Sequence, residues 1–365
     1  MEAKEYHVVA PKKINEVSVN LPEPQEKNYL IRVTHAQVCD ADAKYYFGLR
    51  PKIYSIFGFD YFYGIRDKQG FMNKYPLLLL HEAVGVIERA GPGTLLRPGT
   101  RVVLIPSRRC DNPGCEFCSK GNENSCKRSK FMSSNAPGFA RTRIIQPEEC
   151  VAEIPDNVPN EIAVHTEMST VAYGALVDSG IEEGDTVAVF GDGYLGYILS
   201  VIASKAFHIP KERLYVFGRH DSKLERFSGF TTTINLNKEK IPEQLHNKAN
   251  RIFECVGKRS AEKIINTSIS MIRPRGTIML LGVSEEMVQI NTRDILSKAI
   301  TIRGLSRSPA RHYPVILDFM KDQEIQKLYA KVAGERLAVK SVNDMKKAFE
   351  EYMINRSKML LDFSA

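Results

Sequence analysis

A glycine-rich turn between two apolar segments is the feature that most restricts how this chain can fold. Strand-like residues 187–190 lead into a G-x-G-x-x-G pattern, and helix-like apolar periodicity follows it. The turn contains Gly191, Gly193, Tyr194, Leu195 and Gly196. In a dinucleotide-binding turn the first glycine permits the bend, the second lets the backbone approach a pyrophosphate, and the third allows close helix–strand packing. We therefore predict a dinucleotide-binding strand, turn and helix, with a purely structural turn as the alternative.

The end of the next apolar strand indicates which dinucleotide is bound. An NAD site places Asp or Glu about twenty residues after the glycines, where the carboxylate holds the ribose 2′-hydroxyl. Gly218 stands at that position, followed by Arg219, with His220 and Lys223 nearby. The missing carboxylate and the added positive charge favour NADP(H) over NAD(H). The alternative is that Arg219 only faces solvent.

Strand-like and helix-like segments alternate after this turn. The strand-like runs are TTTINL, RIFECVG, GTIMLLG and AITIRGL. This alternation is typical of an α/β fold with a doubly wound parallel sheet, which we place at roughly 160–304. Single hydrophobic cores stop growing near ~250 to 300 residues, so a chain of 365 residues is expected to form two domains.

Four cysteines lie in the short segment CDNPGCEFCSKGNENSC: Cys110, Cys115, Cys118 and Cys126. Their spacing lets one loop surround a tetrahedral structural zinc ion. Two disulfides are the alternative. The start of the sequence, MEAKEYHVVA, is charged and does not read as a signal peptide, so we expect a reducing cytoplasm and favour the metal.

The charge of the chain restricts which classes of partner we expect it to bind. The formal net charge of +8 favours anionic partners, but the Lys and Arg residues are scattered and no RNA-binding aromatic motif or dense basic arm accompanies them. No apolar run approaches the ~20 residues that span a bilayer. We therefore expect a soluble protein that binds neither nucleic acid nor membrane, and the excess of positive charge is compatible with a site built for phosphates.

A second set of metal-binding residue types lies outside the nucleotide segment: Cys39, His81, Glu82 and Glu167. A thiolate, an imidazole and a carboxylate are the three protein ligands of an open catalytic zinc site, which keeps a fourth position for water or substrate. Each residue also has an ordinary interpretation, as a buried cysteine or a surface contact. Their spacing in the sequence cannot show that they meet.

The order of these motifs resembles that of the zinc-dependent medium-chain alcohol and polyol dehydrogenases over essentially the whole chain. The motifs are Cys39 with Asp42, the HEAVG segment, the four-cysteine lobe and the glycine turn. The resemblance implies a GroES-like, β-rich catalytic domain formed by 1–159 and 305–365, with a Rossmann domain inserted at 160–304. It also implies a homodimer or homotetramer.

The same resemblance implies roles for individual residues. Cys39, His81 and Glu167 would bind the catalytic zinc, with Glu82 as an adjacent and sometimes ligating carboxylate. Many relatives relay a proton through a Ser or Thr two residues after the zinc cysteine, whereas this chain has Ala41. The proton donor is then Lys44, Tyr45, Tyr46 or a water beside Glu82, and Lys44 is equally a candidate for binding a substrate phosphate.

Several segments resemble one group within that family, the NADPH-dependent ribitol-5-phosphate 2-dehydrogenases, or ribulose-5-phosphate reductases, which supply CDP-ribitol for cell-surface polymers. They include VFGDGYLGYILSV, LYVFGRHDSKL, LLGVSEEMVQINTRDIL and CDADAKYYFG. The resemblance implies reversible, zinc- and NADPH-dependent reduction of D-ribulose 5-phosphate to D-ribitol 5-phosphate. The aromatic segment KIYSIFGFDYFYG departs from this group, so a dehydrogenase of another polyol, polyol phosphate or amino alcohol is the alternative. A non-enzymatic zinc-binding module explains fewer of the motifs.

Overall fold

The computed structural model describes residues 1–49, 75–284, 287–355 and 357–364, and the aromatic segment KIYSIFGFDYFYG lies outside them. The chain divides into two compact units. The first contains Met1–Glu167 and Pro309–Ala365, and the second contains Met168–Ser308. The nucleotide unit thus starts after Glu167 rather than after residue 159, and it ends at Ser308 rather than at residue 304.

The secondary structure is numbered in chain order. The strands are β1 Glu2–Ala10, β2 Lys13–Asn20, β3 Asn28–Gln37, β4 Leu77–Leu78, β5 Glu82–Ala90, β6 Arg101–Leu104, β7 Ser107–Arg108, β8 Lys130–Phe131, β9 Arg143–Pro147, β10 Val151–Glu153, β11 Val187–Phe190, β12 Leu214–Gly218, β13 Thr232–Asn235, β14 Ala249–Glu254, β15 Ile272–Leu280, β16 Thr301–Gly304, β17 Glu335–Ala338 and β18 Met359–Asp362. The helices are α1 Asp40–Tyr46, α2 Asn160–Ala163, α3 Thr166–Ser179, α4 Tyr194–Lys205, α5 Asp221–Leu224, α6 Ala261–Met271, α7 Thr292–Lys298, α8 His312–Phe319, α9 Gln323–Ala330 and α10 Val342–Asn355.

The first unit is rich in β-strands, and the central strand of its largest sheet is β3. This sheet has the order β10-β6-β5-β3-β18-β17, with β9 also paired to β3. Eight of the ten residues of β3 are buried, and they include the polar Thr34, His35 and Gln37 towards its end. Gln37 at its end lies opposite Glu82 of β5 on one side and Leu360 of β18 on the other. The start of β18 therefore lies at the same end of the sheet as Glu82.

The second unit is built on a parallel sheet with the order β13-β12-β11-β14-β15-β16. From β11 the chain adds β12 and β13 on one side, then returns to place β14 on the other side of β11. Such a reversal of strand order opens a crevice at the carboxyl ends of the strands, where open α/β sheets bind ligands. Gly191 follows β11 directly, so the glycine turn lies at this reversal. The predicted α/β fold class is confirmed.

No helix among the described residues combines the length and the apolar character that a membrane-spanning helix requires.

Candidate active site and cofactor sites

Three of the predicted catalytic residues meet at the carboxyl end of β3. Cys39 precedes α1, His81 directly precedes β5, and Glu82 is the first residue of β5. Each offers one ligand atom, and these three atoms all lie within 4.8 Å of one another. His81 and Glu82 are buried. A thiolate, an imidazole and a carboxylate at this separation fit an open zinc site with three protein ligands.

Asp42 in α1 fixes the orientation of the His81 ring. Its carboxylate lies 3.2 Å from His81 Nδ1 and accepts hydrogen bonds from the Leu80 amide, at 3.1 Å, and from the Ser133 hydroxyl. Burial alone would lower the pKa of His81, but the Asp42 carboxylate and Cys39 raise it well above its usual range. With Nδ1 directed at Asp42, Nε2 is the nitrogen available to a metal, which is the usual arrangement for a metal-binding histidine.

Lys358 holds the Glu82 carboxylate, and the sequence did not point to it. Its ammonium lies 2.5 Å from Oε1 and 2.6 Å from Oε2 of Glu82, and both side chains are buried. Burial alone would lower the pKa of Lys358, but Glu82 raises it above its ordinary value. Lys358 directly precedes β18, so the pairing of β18 with β3 brings it to Glu82. Glu82 is therefore a paired carboxylate, with both oxygens in contact with one ammonium.

Glu167 is not among the three residues whose ligand atoms cluster. It lies in the first turn of α3 and is buried, but its carboxylate is not within 4.8 Å of all three ligand atoms. Burial raises the pKa of Glu167 to about 7, with the charge of Glu82 raising it further and that of His81 opposing the rise. Its place as the third zinc ligand stays a prediction, and Glu82 is the carboxylate that lies nearer.

The proposed proton donors lie in α1. The Lys44 ammonium is 3.2 Å from the Asp40 carboxylate one helical turn earlier. The Tyr46 ring stacks on Phe349 with centroids 4.6 Å apart, and its hydroxyl has no hydrogen-bond partner among the described residues. Burial raises the pKa of Tyr46 to about 12. These contacts favour a packing role for Tyr46, and a proton donor among Lys44, Tyr45 and a water beside Glu82 stays a prediction.

The four-cysteine lobe has the geometry of a thiolate metal site. All four thiols are free, and their sulfur atoms lie within 4.8 Å of one another. The Cys115 and Cys126 sulfurs are 3.6 Å apart, and those of Cys110 and Cys118 are 3.8 Å apart. A disulfide bond measures about 2.05 Å, whereas tetrahedral zinc with bonds of about 2.3 Å separates its sulfurs by about 3.8 Å. Hydrogen bonding from the Cys118 amide lowers the pKa of Cys115, whereas burial raises the pKa of Cys118 and of Cys126, so the sulfur separations carry the metal interpretation.

Replacing Cys115 or Cys118 with Ser should remove one zinc ion per chain and lower Tm by roughly 5 to 15 °C, because zinc binding is coupled to folding of the loop. Glu116→Gln is the matched control, since Glu116 is exposed on the same loop. Zinc content and thermal unfolding are the measurements. Unchanged Tm in both cysteine variants would show that the lobe holds no structural metal.

The glycine turn has the geometry that each glycine was predicted to provide. Gly191 has a φ of +131°, which L side chains rarely adopt. A Cβ atom added at Gly196 would lie 2.1 Å from the Gly191 carbonyl oxygen, so close helix–strand packing excludes one. A Cβ atom at Gly193 would meet nothing within 4 Å, so open space lies at the start of α4. This open space fits the predicted pyrophosphate site at the amino end of α4, which stays a prediction.

Gly218 is surrounded more tightly than the sequence suggested. A Cβ atom there would lie 2.6 Å from Asp192 Cβ and 2.8 Å from a methyl group of Leu224. Arg219 and His220 are exposed, and Lys223 is half-buried. Asp192 occupies an unspecified position of the G-x-G-x-x-G pattern, so sequence reasoning gave it no role.

These features define a zinc-dependent medium-chain dehydrogenase, and the chain belongs to that family. Residues 25–156 match the alcohol dehydrogenase GroES-like domain, and residues 200–322 match the zinc-binding dehydrogenase domain. The family predicted from the sequence is confirmed.

Individual relatives match over nearly the whole chain. Ribulose-5-phosphate reductase 1 of Staphylococcus aureus is 32% identical over 94% of this chain and 94% of its own length. The ribulose-5-phosphate reductase of Bacillus spizizenii is 32% identical over 88% of this chain and 87% of its own length. The crystal structure of S. aureus TarJ in complex with NADPH superposes with a TM-score of 0.79 at 29% identity, covering 99% of both chains.

Proposed function

We propose that this protein reduces D-ribulose 5-phosphate to D-ribitol 5-phosphate with NADPH, reversibly, and so supplies CDP-ribitol for cell-surface polymer synthesis. The observation that carries the proposal is 32% identity to a ribulose-5-phosphate reductase over 94% of both chains. The clustered ligand atoms of Cys39, His81 and Glu82 and the NADP-type strand end support it. The protein is an NADP-dependent zinc oxidoreductase, and we place it in the cytoplasm, where thiolates stay reduced.

Individual residues of the chain have separate roles in this reaction. Cys39 and His81, with Glu82 or Glu167, would hold the zinc ion. When bound, zinc polarises the substrate carbonyl as a Lewis acid and NADPH supplies the hydride. Asp42 fixes the His81 ring, and Lys358 fixes the Glu82 carboxylate. The proton that the product oxygen needs must come from Lys44, Tyr45 or a water beside Glu82, because Ala41 carries no hydroxyl.

Initial rates of NADPH oxidation across a panel of ketoses and ketose phosphates test this assignment. We expect ribulose 5-phosphate to have the highest kcat/KM of the panel, with free ribulose roughly ten- to a hundredfold lower, since a charge-assisted phosphate contact contributes about 1.5 to 3 kcal/mol. A higher kcat/KM for an unphosphorylated ketose or an amino ketone would replace the proposal with the alternative dehydrogenase.

Lys44 is our candidate for the phosphate contact, because it lies one turn into the helix that follows Cys39 and its side chain is 17% exposed. Lys44→Ala should lower kcat/KM for ribulose 5-phosphate roughly ten- to a hundredfold and affect residual activity on ribulose much less. Lys13→Ala, at an exposed position of β2, is the control. Equal losses on both substrates would assign Lys44 to proton transfer instead.

Arg219 is our candidate for the 2′-phosphate contact of the cofactor. Arg219→Ala should lower kcat/KM for NADPH about tenfold and leave that for NADH nearly unchanged, because the charge-assisted contact exists only with the phosphate. A wild-type enzyme equally fast with both cofactors would overturn the NADP assignment.

We also propose that the protein is a homodimer or homotetramer. Strand β16 is the last strand on one side of the parallel sheet, and three of its four residues are exposed. Such an edge carries backbone donors and acceptors that a second copy can pair with across a twofold axis. The molar mass in solution, measured by light scattering, tests this.

A further inference from the structure

The carboxylate of Asp192 links the glycine turn to the strand end that is predicted to bind the adenosine ribose. Its Oδ2 atom accepts hydrogen bonds from the Arg219 amide at 2.8 Å and from the His220 amide at 2.9 Å. The His220 ring nitrogen Nδ1 lies 2.9 Å from the same oxygen. Two backbone groups and one side chain that follow β12 are therefore held by a single acceptor from the turn after β11.

Other contacts fix the same backbone. The Asn237 side chain donates a hydrogen bond to the Arg219 carbonyl oxygen at 3.0 Å, so both polar backbone groups of Arg219 have partners. The Arg219 guanidinium, in contrast, is exposed and makes no hydrogen bond or ion pair with the described residues. A fixed backbone with an available cationic side chain is organised in advance to bind an anion.

The space around Gly218 supports the same interpretation. An NAD site needs a carboxylate at the end of this strand. Here the Asp192 side chain takes up the space that a side chain at residue 218 would need. A Cβ atom at Gly218 would lie 2.6 Å from Asp192 Cβ and 2.8 Å from its Oδ2. The carboxylate of Asp192 is directed to Arg219 and His220 and is only 13% exposed. It is therefore not placed to bind the ribose as the strand-end carboxylate of an NAD site does.

We propose that Asp192 is a positioning residue that selects NADP(H) by two effects: it holds the Arg219–His220 turn for the 2′-phosphate, and it excludes a side chain at residue 218. The inference rests on the proposed function only for the choice of NADPH. The glycine turn then contributes to the choice of NADP(H) over NAD(H) together with the strand end.

Binding of NADPH and NADH to the zinc-loaded protein, without sugar phosphate, tests the first effect. The chain contains no tryptophan, so nicotinamide fluorescence reports binding without overlap from indole. Asp192→Ala should raise Kd for NADPH about ten- to thirtyfold and Kd for NADH less than about threefold. Asp221→Ala is the matched control, because Asp221 is an exposed carboxylate that follows His220 and pairs with Lys238. Equal changes for both cofactors, or no change for either, would overturn the proposal.

A second pair of variants tests the exclusion of side chains. Gly218→Asp alone should lower Tm and weaken binding of both cofactors, because its Cβ atom collides with Asp192. Asp192→Gly combined with Gly218→Asp should recover part of the lost Tm, since the contact with Leu224 remains, and should favour NADH. A stable Gly218→Asp protein that prefers NADH by itself would contradict the exclusion. A wild type that binds both cofactors equally overturns the cofactor assignment as well, whereas a selective wild type with an unaffected Asp192→Ala overturns this inference alone.

Discussion

Cys39→Ser should lower kcat/KM for ribulose 5-phosphate by more than about a thousandfold, while the protein stays folded. Cys39 supplies one of the three ligand atoms that lie within 4.8 Å of one another, and a catalytic zinc site contributes chemistry more than architecture. The measurements are steady-state rates, zinc content and thermal unfolding. We expect one zinc ion per chain to be lost or weakly held and Tm to change little.

Cys150→Ser is the matched control for this prediction, because Cys150 belongs to neither metal-type cluster of the described residues. His81→Ala is a less clean variant. It should abolish turnover too, but it leaves the fully buried Asp42 carboxylate without its imidazole partner and therefore also lowers stability. A Cys39→Ser enzyme with more than about a tenth of wild-type activity would contradict the assigned site.

Lys358→Met should destabilise the protein by about 3 to 5 kcal/mol, because it leaves the buried Glu82 charge without its partner. At 2 to 4 °C per kcal/mol this corresponds to a decrease in Tm of roughly 6 to 20 °C. Activity should fall as well, since a carboxylate oxygen of Glu82 is one of the three clustered ligand atoms of the candidate zinc site. Thermal unfolding and kcat/KM of the same preparation are the measurements.

A double variant separates the ion pair from other roles of Lys358. Lys358→Met combined with Glu82→Leu removes both charges and should recover most of the lost Tm while remaining inactive. Lys340→Met, at an exposed position, should change neither property. If Lys358→Met kept the wild-type Tm, the buried pair would not stabilise the fold.

The sequence predicted those parts of the molecule whose residues are close in the chain. The strand, glycine turn and helix around Gly191 could be predicted because each glycine has a local role, and the structure gives each the expected geometry. The four cysteines lie in one loop, so their meeting was predictable too. Their sulfur separations, which favour a metal over disulfides, needed the structure.

The catalytic cluster depends on strand pairing, which the sequence does not show. Cys39 and His81 meet because β3 pairs with β5, and only the family resemblance indicated this. Lys358 reaches Glu82 because β18 pairs with β3 from the other end of the chain, and a lone lysine before a short apolar strand gives no signal. Asp192 was missed for a similar reason, since its partners follow a different strand.

Transfer of label from NADPH to the product tests the central claim most directly. With NADPH deuterated at the transferred position of the nicotinamide and ribulose 5-phosphate as substrate, we expect one equivalent of ribitol 5-phosphate per NADPH consumed, with one deuterium on C2. Mass spectrometry and NMR locate the label. Product without deuterium at C2, or labelled product formed only from an unphosphorylated ketose, would contradict the proposed reaction.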